Sequence, residues 1–117
     1  MDDSLRERIE GLTELLDEEP EDVTTRFMLA TELAKAGDHA TAAAHFAELL
    51  TRDADYTAAY RGLGRARVAM GDLTGAREVF TRGLAVAERT GDLQSGKEMA
   101  ALLRRHVDGR DEGGGTP

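Results

Sequence analysis

The stretch YRGLGRAR, residues 60–67, holds two glycines spaced as in a phosphate-gripping turn and three arginines that could clamp an anion. In a dinucleotide-binding fingerprint such glycines follow a β-strand and open a helix. No strand signal precedes these, so the stretch needs another explanation. The other reactive side chains are sparse. His39 and His45 lie six residues apart, about 240° round a helix of ~3.6 residues per turn, so one helix face cannot offer both to a metal. They and His106 are expected at surface or helix-end places. Ser4 and Ser95 are the two serines, and neither has a base visible beside it; Ser4 reads as a helix cap and Ser95 as the start of a helix. The absence of cysteine rules out disulfides, thiolate metal sites and a cysteine nucleophile. The acidic run DEEPED, 17–22, suits a solvated helix end followed by acids that favour the next helix start. The segment DGRDEGG lacks the alternating oxygen ligands and distal glutamate of a calcium loop. The expectation is no catalytic set, no metal and no cofactor, and hence not an enzyme.

The elements that would position any site must come from a chain of 117 residues, enough for one domain. Apolar residues make up 40 %, but only three Phe and two Tyr are aromatic, so alanine and leucine must do most of the packing. Such a composition, with prolines only at Pro20 and Pro117, favours helices. The net charge of −8 repels phosphate backbones and argues against nucleic-acid binding. Lys35 and Lys97 are the only lysines; a high-salt host or a GC-rich genome accounts equally for that bias. The N-terminus MDDSLRERIEGL has no apolar core, and no apolar run approaches the ~18 residues of a membrane span. A cytoplasmic location without membrane contact is expected.

The chain repeats itself. Residues 23–56 laid over 57–90 match at Leu29/Leu63, Gly37/Gly71, Asp38/Asp72, Ala42/Ala76, Phe46/Phe80 and Leu50/Leu84, and Ala30/Gly64 adds a small pair. Each pair has a structural job. Gly37 and Gly71 suit a left-handed residue just past a helix end, and Asp38 and Asp72 can cap the helix that follows. Leu29, Leu33 and Ala36 form one apolar stripe; Ala42, Phe46, Leu49 and Leu50 form the facing one. In this register Tyr60 to Met70 lies in mid-helix, which removes the loop that a phosphate would need. Gly64 falls at a close helix crossing.

A 34-residue period with Leu-Ala or Leu-Gly in the first helix, Gly-Asp, then Ala-x-x-x-Phe in the second, resembles the tetratricopeptide repeat. The resemblance covers 23–90 in two full copies. It departs at Arg26, where the family has a large aromatic that the second copy supplies as Tyr60. It departs again at Arg67, opposite Leu33, and at Ala54 and Glu88, where a proline is usual. The implied fold is all-α, an α-α superhelix of about six antiparallel helices. Residues 4–18 then read as the second half of an incomplete repeat, with Leu12 in the place of Phe46, Leu15 and Leu16 in those of Leu49 and Leu50, and Ser4 with Glu7 as a capping box. Residues 92–107 read as a closing helix, amphipathic through Met99, Leu102 and Leu103. The single domain is placed at 1–107 and a disordered tail at 108–117.

In the family the first helices line a concave face that takes an extended peptide. Phe27 and Thr31 are i and i+4 on one side of their helix, and Arg61 and Arg65 fall on the same side of theirs. The resemblance implies a protein–protein interaction module or scaffold with these four residues in the groove. Two arginines one turn apart repel unless an anion lies between them, and a carboxylate suits their geometry. The partner class is a protein or peptide, with acidic groups if the arginines are free; alternatively they pair with the chain's own abundant acids. Asparagine is absent, so the lysine–asparagine carboxylate clamp of some family members is not expected. A second reading is a structural or self-associating repeat protein, or a subunit docking through its end helices by Leu5, Ile9 and Leu12 or Met99, Leu102 and Leu103. A monomer is expected over a homo-oligomer.

Overall fold

The computed structural model describes residues 1–109, which form six α-helices and a π-helical extension and no strand. They are α1 (Asp3–Glu18), α2 (Val23–Lys35), α3 (His39–Arg52), α4 (Thr57–Ala69), α5 (Leu73–Thr90) and α6 (Leu93–Leu102), and α6 continues as the π-turn Leu103–Asp108. Asp108 lies within that helical extension, one residue past the boundary expected for the closing helix, and is paired with Arg77. Residues 110–117, most of the expected tail, lie outside the described residues.

Three Gly-Asp turns set the period. Gly37, Gly71 and Gly91 have φ of 86°, 80° and 79°, a left-handed conformation that side chains with a Cβ resist. The next residue closes the turn by donating its backbone N–H to a carbonyl five residues back, as in Asp38 to Leu33, Asp72 to Arg67 and Asp92 to Ala87. The same aspartates cap the following helices, accepting from the amides of Thr41, Gly75 and Ser95. The third turn, 91–92, falls off the 34-residue register because it joins a second helix, α5, to the next first helix, α6, whereas the other two join the helices within a repeat; α5 is also longer than α3, 18 residues against 14. At the N-terminus the expected Ser4 cap is replaced by Asp2, whose carboxylate accepts from the amide of Leu5 at 2.8 Å. An aspartate two residues earlier was available, and Ser4 instead accepts a bond from Arg8.

The helices stack in overlapping triplets. α2, α3 and α4 touch pairwise, as do α4, α5 and α6, so each first helix rests on the second helix of its own repeat and the first of the next. The stack measures 51 × 33 × 20 Å. Its core holds Leu29, Ala30 and Leu33 of α2, Ala42, Phe46 and Leu49 of α3, and Tyr60 and Leu63 of α4. It continues through Ala76, Val79 and Phe80 of α5 to Met99 and Leu102 of α6. Close approach at the crossings is a matter of small residues: Gly62 faces the ring of Phe46 and Gly64 the ring of Phe80. That packing is the purpose of the Gly-x-Gly in YRGLGRAR. Met99 and Leu102 are buried, because α5 and the π-turn cover them.

Candidate functional site

The side chains of α2, α4 and α6 line the face where a partner is expected. Phe27 is half-buried on α2. Its ring meets Phe46 edge-on at 5.8 Å and lies tilted against Tyr56 at 5.2 Å. It is therefore a joint between α2, α3 and the start of α4. Thr31, one turn on, donates its hydroxyl to the Phe27 carbonyl at 2.9 Å. That bond holds the hydroxyl on its own helix.

Arg61 on α4 is ion-paired with Glu98 of α6. Gln94 donates a second bond to the same carboxylate at 3.0 Å. These two donors, Gln94 first, hold the Glu98 carboxyl below its ordinary pKa. Arg65 is exposed, and among the described residues no acid pairs with it. The two arginines thus differ: one carries its own counterion and the other faces solvent. Phe27 and Thr31 line one groove together with α1, while Arg61 reaches toward α6, so the four side chains spread along the face of the stack.

Beneath Arg61 lies a hub that the repeat pattern hides. Thr57, at the start of α4, donates its hydroxyl to Asp92 at 2.5 Å. The same carboxylate accepts from the amide of Ser95 at 3.1 Å and its hydroxyl at 2.8 Å. The bond from Thr57, then those from Ser95, lower the Asp92 pKa. This cluster joins α4 to α6 and fixes the spacing of Arg61 and Glu98. Its signal in the sequence is the Gly91-Asp92 pair, which repeats the earlier turns at an irregular interval.

Arg26, in the place of the missing aromatic, is also spent internally. It donates to Nδ1 of His45 at 3.1 Å and to the Pro20 carbonyl at 2.9 Å. His45 is therefore half-buried in mid-helix and neutral, its Nδ1 accepting; burial, then the charge of Arg26, lowers its pKa. Arg67, opposite Leu33, turns its guanidinium to Asp72 at 2.9 Å. Among the described residues no group of three His, Cys, Asp or Glu is arranged to hold a metal ion, and no helix is long and apolar enough to cross a membrane.

A groove of about 610 Å³ runs between α1 and α2. Arg8, Gly11, Leu12 and Leu15 form its α1 wall, and Phe27, Met28, Thr31 and Glu32 its α2 wall. Leu15 is 55 % exposed and Met28 48 % exposed, although both are large and apolar.

Comparison with known proteins agrees with this architecture. The tetratricopeptide repeat family matches residues 33–103, more than half of the chain. A TPR repeat-containing protein of Pseudomonas aeruginosa is 41 % identical over 97 residues, 83 % of this chain and 92 % of that protein. The solution structure of a protein from Bordetella parapertussis superposes with a TM-score of 0.74 at 33 % identity, covering 83 % of this chain and 84 % of that one. Repeats of this family generally mediate protein–protein interactions. The period, the glycine-aspartate turns and these relatives place the chain in the tetratricopeptide repeat family.

Proposed function

We propose that this chain is a non-catalytic, monomeric interaction module of the cytoplasm whose face lined by α2, α4 and α6 holds a segment of a partner protein. The observation that carries the reading is the contrast between Arg61 and Arg65. Arg61 is neutralised by Glu98, whereas Arg65 stands exposed one turn away with no acid of its own among the described residues. In a chain of net charge −8 such an unanswered cation is a recognition element. A carboxylate on the partner supplies its counterion, and Phe27 and Thr31 supply apolar contact further along the face. Arg61, held in place by Glu98, can share an incoming carboxylate without having to be ordered first.

Selection from a random peptide library tests this. Acidic sequences are expected to emerge with the wild-type chain, and Arg65→Glu is expected to lose them. Enrichment without acidic residues, or an unchanged selection with Arg65→Glu, would remove the face from consideration.

A further inference from the structure

The repeat geometry makes the α1–α2 groove an unfinished joint. In both complete triplets a first helix lies over the pair beneath it: α2 over α3 and α4, and α4 over α5 and α6. α1 and α2 form the same kind of pair, but no described helix lies over them. A shift of 34 residues maps the groove wall onto the covered joint: Arg8 onto Ala42, Leu12 onto Phe46, Leu15 onto Leu49 and Met28 onto Gly62. The burial differs as the missing helix demands. Leu49 is fully buried, and Leu15 is 55 % exposed.

The molecule itself shows what such a joint holds. It is a helix presenting a leucine followed by a small residue, as Leu29-Ala30 in α2 and Leu63-Gly64 in α4, all buried. The charge around the groove narrows the occupant further. On α1, Glu7, Glu14 and Glu18 fall on one stripe with the groove residue Gly11, at i, i+7, i+11 and i+4, and all are exposed. This acidic lip borders the outer side of the groove. Arg8, on the same α1 wall, is already paired with Glu32 of the α2 wall at 3.3 Å, and Glu32 also holds Lys35 at 3.3 Å. The lip therefore selects cations.

We propose that the α1–α2 groove docks an amphipathic α-helix of a partner protein, with a leucine-plus-small-residue stripe against Leu12, Leu15 and Met28 and a Lys- or Arg-rich flank over Glu7, Glu14 and Glu18. The bound helix completes the stack in the place of a first helix of the repeat. The inference rests on the interaction role proposed above but uses the α1–α2 end of the stack, which adjoins that face at Phe27 and Thr31 and is reached through Leu15 rather than Arg65.

A peptide of residues 56–71 carrying Gly62→Ala is a defined probe. It has the Leu63-Gly64 stripe, three arginines and no acid. Titrated into the ¹⁵N-labelled full chain, it is expected to bind saturably, with shift changes centred on α1 and α2. Leu15→Lys, at an exposed position, keeps the fold and is expected to weaken binding by about ten-fold or more, whereas Arg65→Glu in the protein leaves it unchanged. A peptide with all three arginines changed to glutamate is expected to bind about ten-fold more weakly. Absence of saturation at about 1 mM, insensitivity to Leu15→Lys, or equal affinity of the two peptides overturns the proposal. A wild-type chain that dimerises, and no longer does so as Leu15→Lys, also overturns it by assigning the groove to a second copy. Loss of library selection with Arg65→Glu speaks only to the other face, so the two readings fail separately.

Discussion

Gly62 lies beneath the ring of Phe46 so closely that a Cβ there would stand 2.6 Å from Cε1 and 2.7 Å from Cε2. Gly64 meets Phe80 in the same way, with a Cβ falling 2.5 Å from Cζ. Real side chains essentially never approach within 3.0 Å, so the ring or the helix must move. Phe80 is fully buried and has nowhere to go. Helix propensity alone gives alanine an advantage of about 1 kcal/mol over glycine. Overpacking of a tight core costs about 1–3 kcal/mol and wins here. Gly64→Ala is expected to destabilise the chain by up to about 2 kcal/mol net. Gly11 in α1 has nothing within 4 Å of such a Cβ, and Gly11→Ala is expected to stabilise by about 0.5–1 kcal/mol. Urea midpoints of the two variants check the opposite signs.

The Arg26–His45 contact gives a pH dependence. The folded His45 pKa lies below its ordinary value, by burial first and by Arg26 second. The unfolded chain therefore binds the proton more readily. The contribution is fully present above the ordinary histidine pKa of ~6.5 and is lost as pH falls from there through the lowered folded value. Urea midpoints measured from pH 7.5 to pH 5 are expected to fall with pH, and the His45→Gln variant to fall less steeply.

The Thr57–Asp92 bond makes α6 depend on a carboxylate. With its pKa depressed by Thr57 and then Ser95, Asp92 stabilises the fold above the ordinary aspartate range. That stability disappears as pH drops through the depressed value. Thr57→Val keeps the side-chain shape and removes the donor. It is expected to lower the thermal midpoint and to speed hydrogen exchange of the α6 amides more than those of α2. Equal acceleration in both helices contradicts a link specific to α6.

Arg61 and Arg65 should separate in stability as they do in contacts. Arg65→Ala removes no described contact and is expected to change stability by no more than about 0.5 kcal/mol. Arg61→Ala breaks a partly exposed ion pair, an effect of up to about 1 kcal/mol that weakens in salt. Thermal melts at low and high salt distinguish them.

Much of the fold was legible because each repeated pair does one local job. Glycine past a helix end, aspartate at the next cap, alanine at the crossing and phenylalanine between repeats are choices that backbone sterics dictate. What escaped were arrangements between helices. The extra turn of α5 shifts α6 off the period, so the Thr57–Asp92 and Arg61–Glu98 pairings could not be read by a 34-residue shift. Arg26 and His45 looked unrelated at a separation of 19 residues; α2 and α3 bring them together. Ser4 satisfies a capping pattern, but Asp2 reaches the amide first. Leu15 aligned with Leu49 as a core residue, and only the absence of a covering helix among the described residues exposes it. The side of α4 that carries Arg61 and Arg65 followed from spacing. That Arg61 has a partner and Arg65 has none did not.

Capture from a lysate of the source organism is the most direct measurement, with the wild-type chain beside Arg61→Ala/Arg65→Ala at two salt concentrations. A set of proteins retained by the wild type, weakened by salt and lost from the double variant is expected. An identical set captured by both chains would contradict the claim that the face bearing Arg61 and Arg65 is where this protein meets its partner.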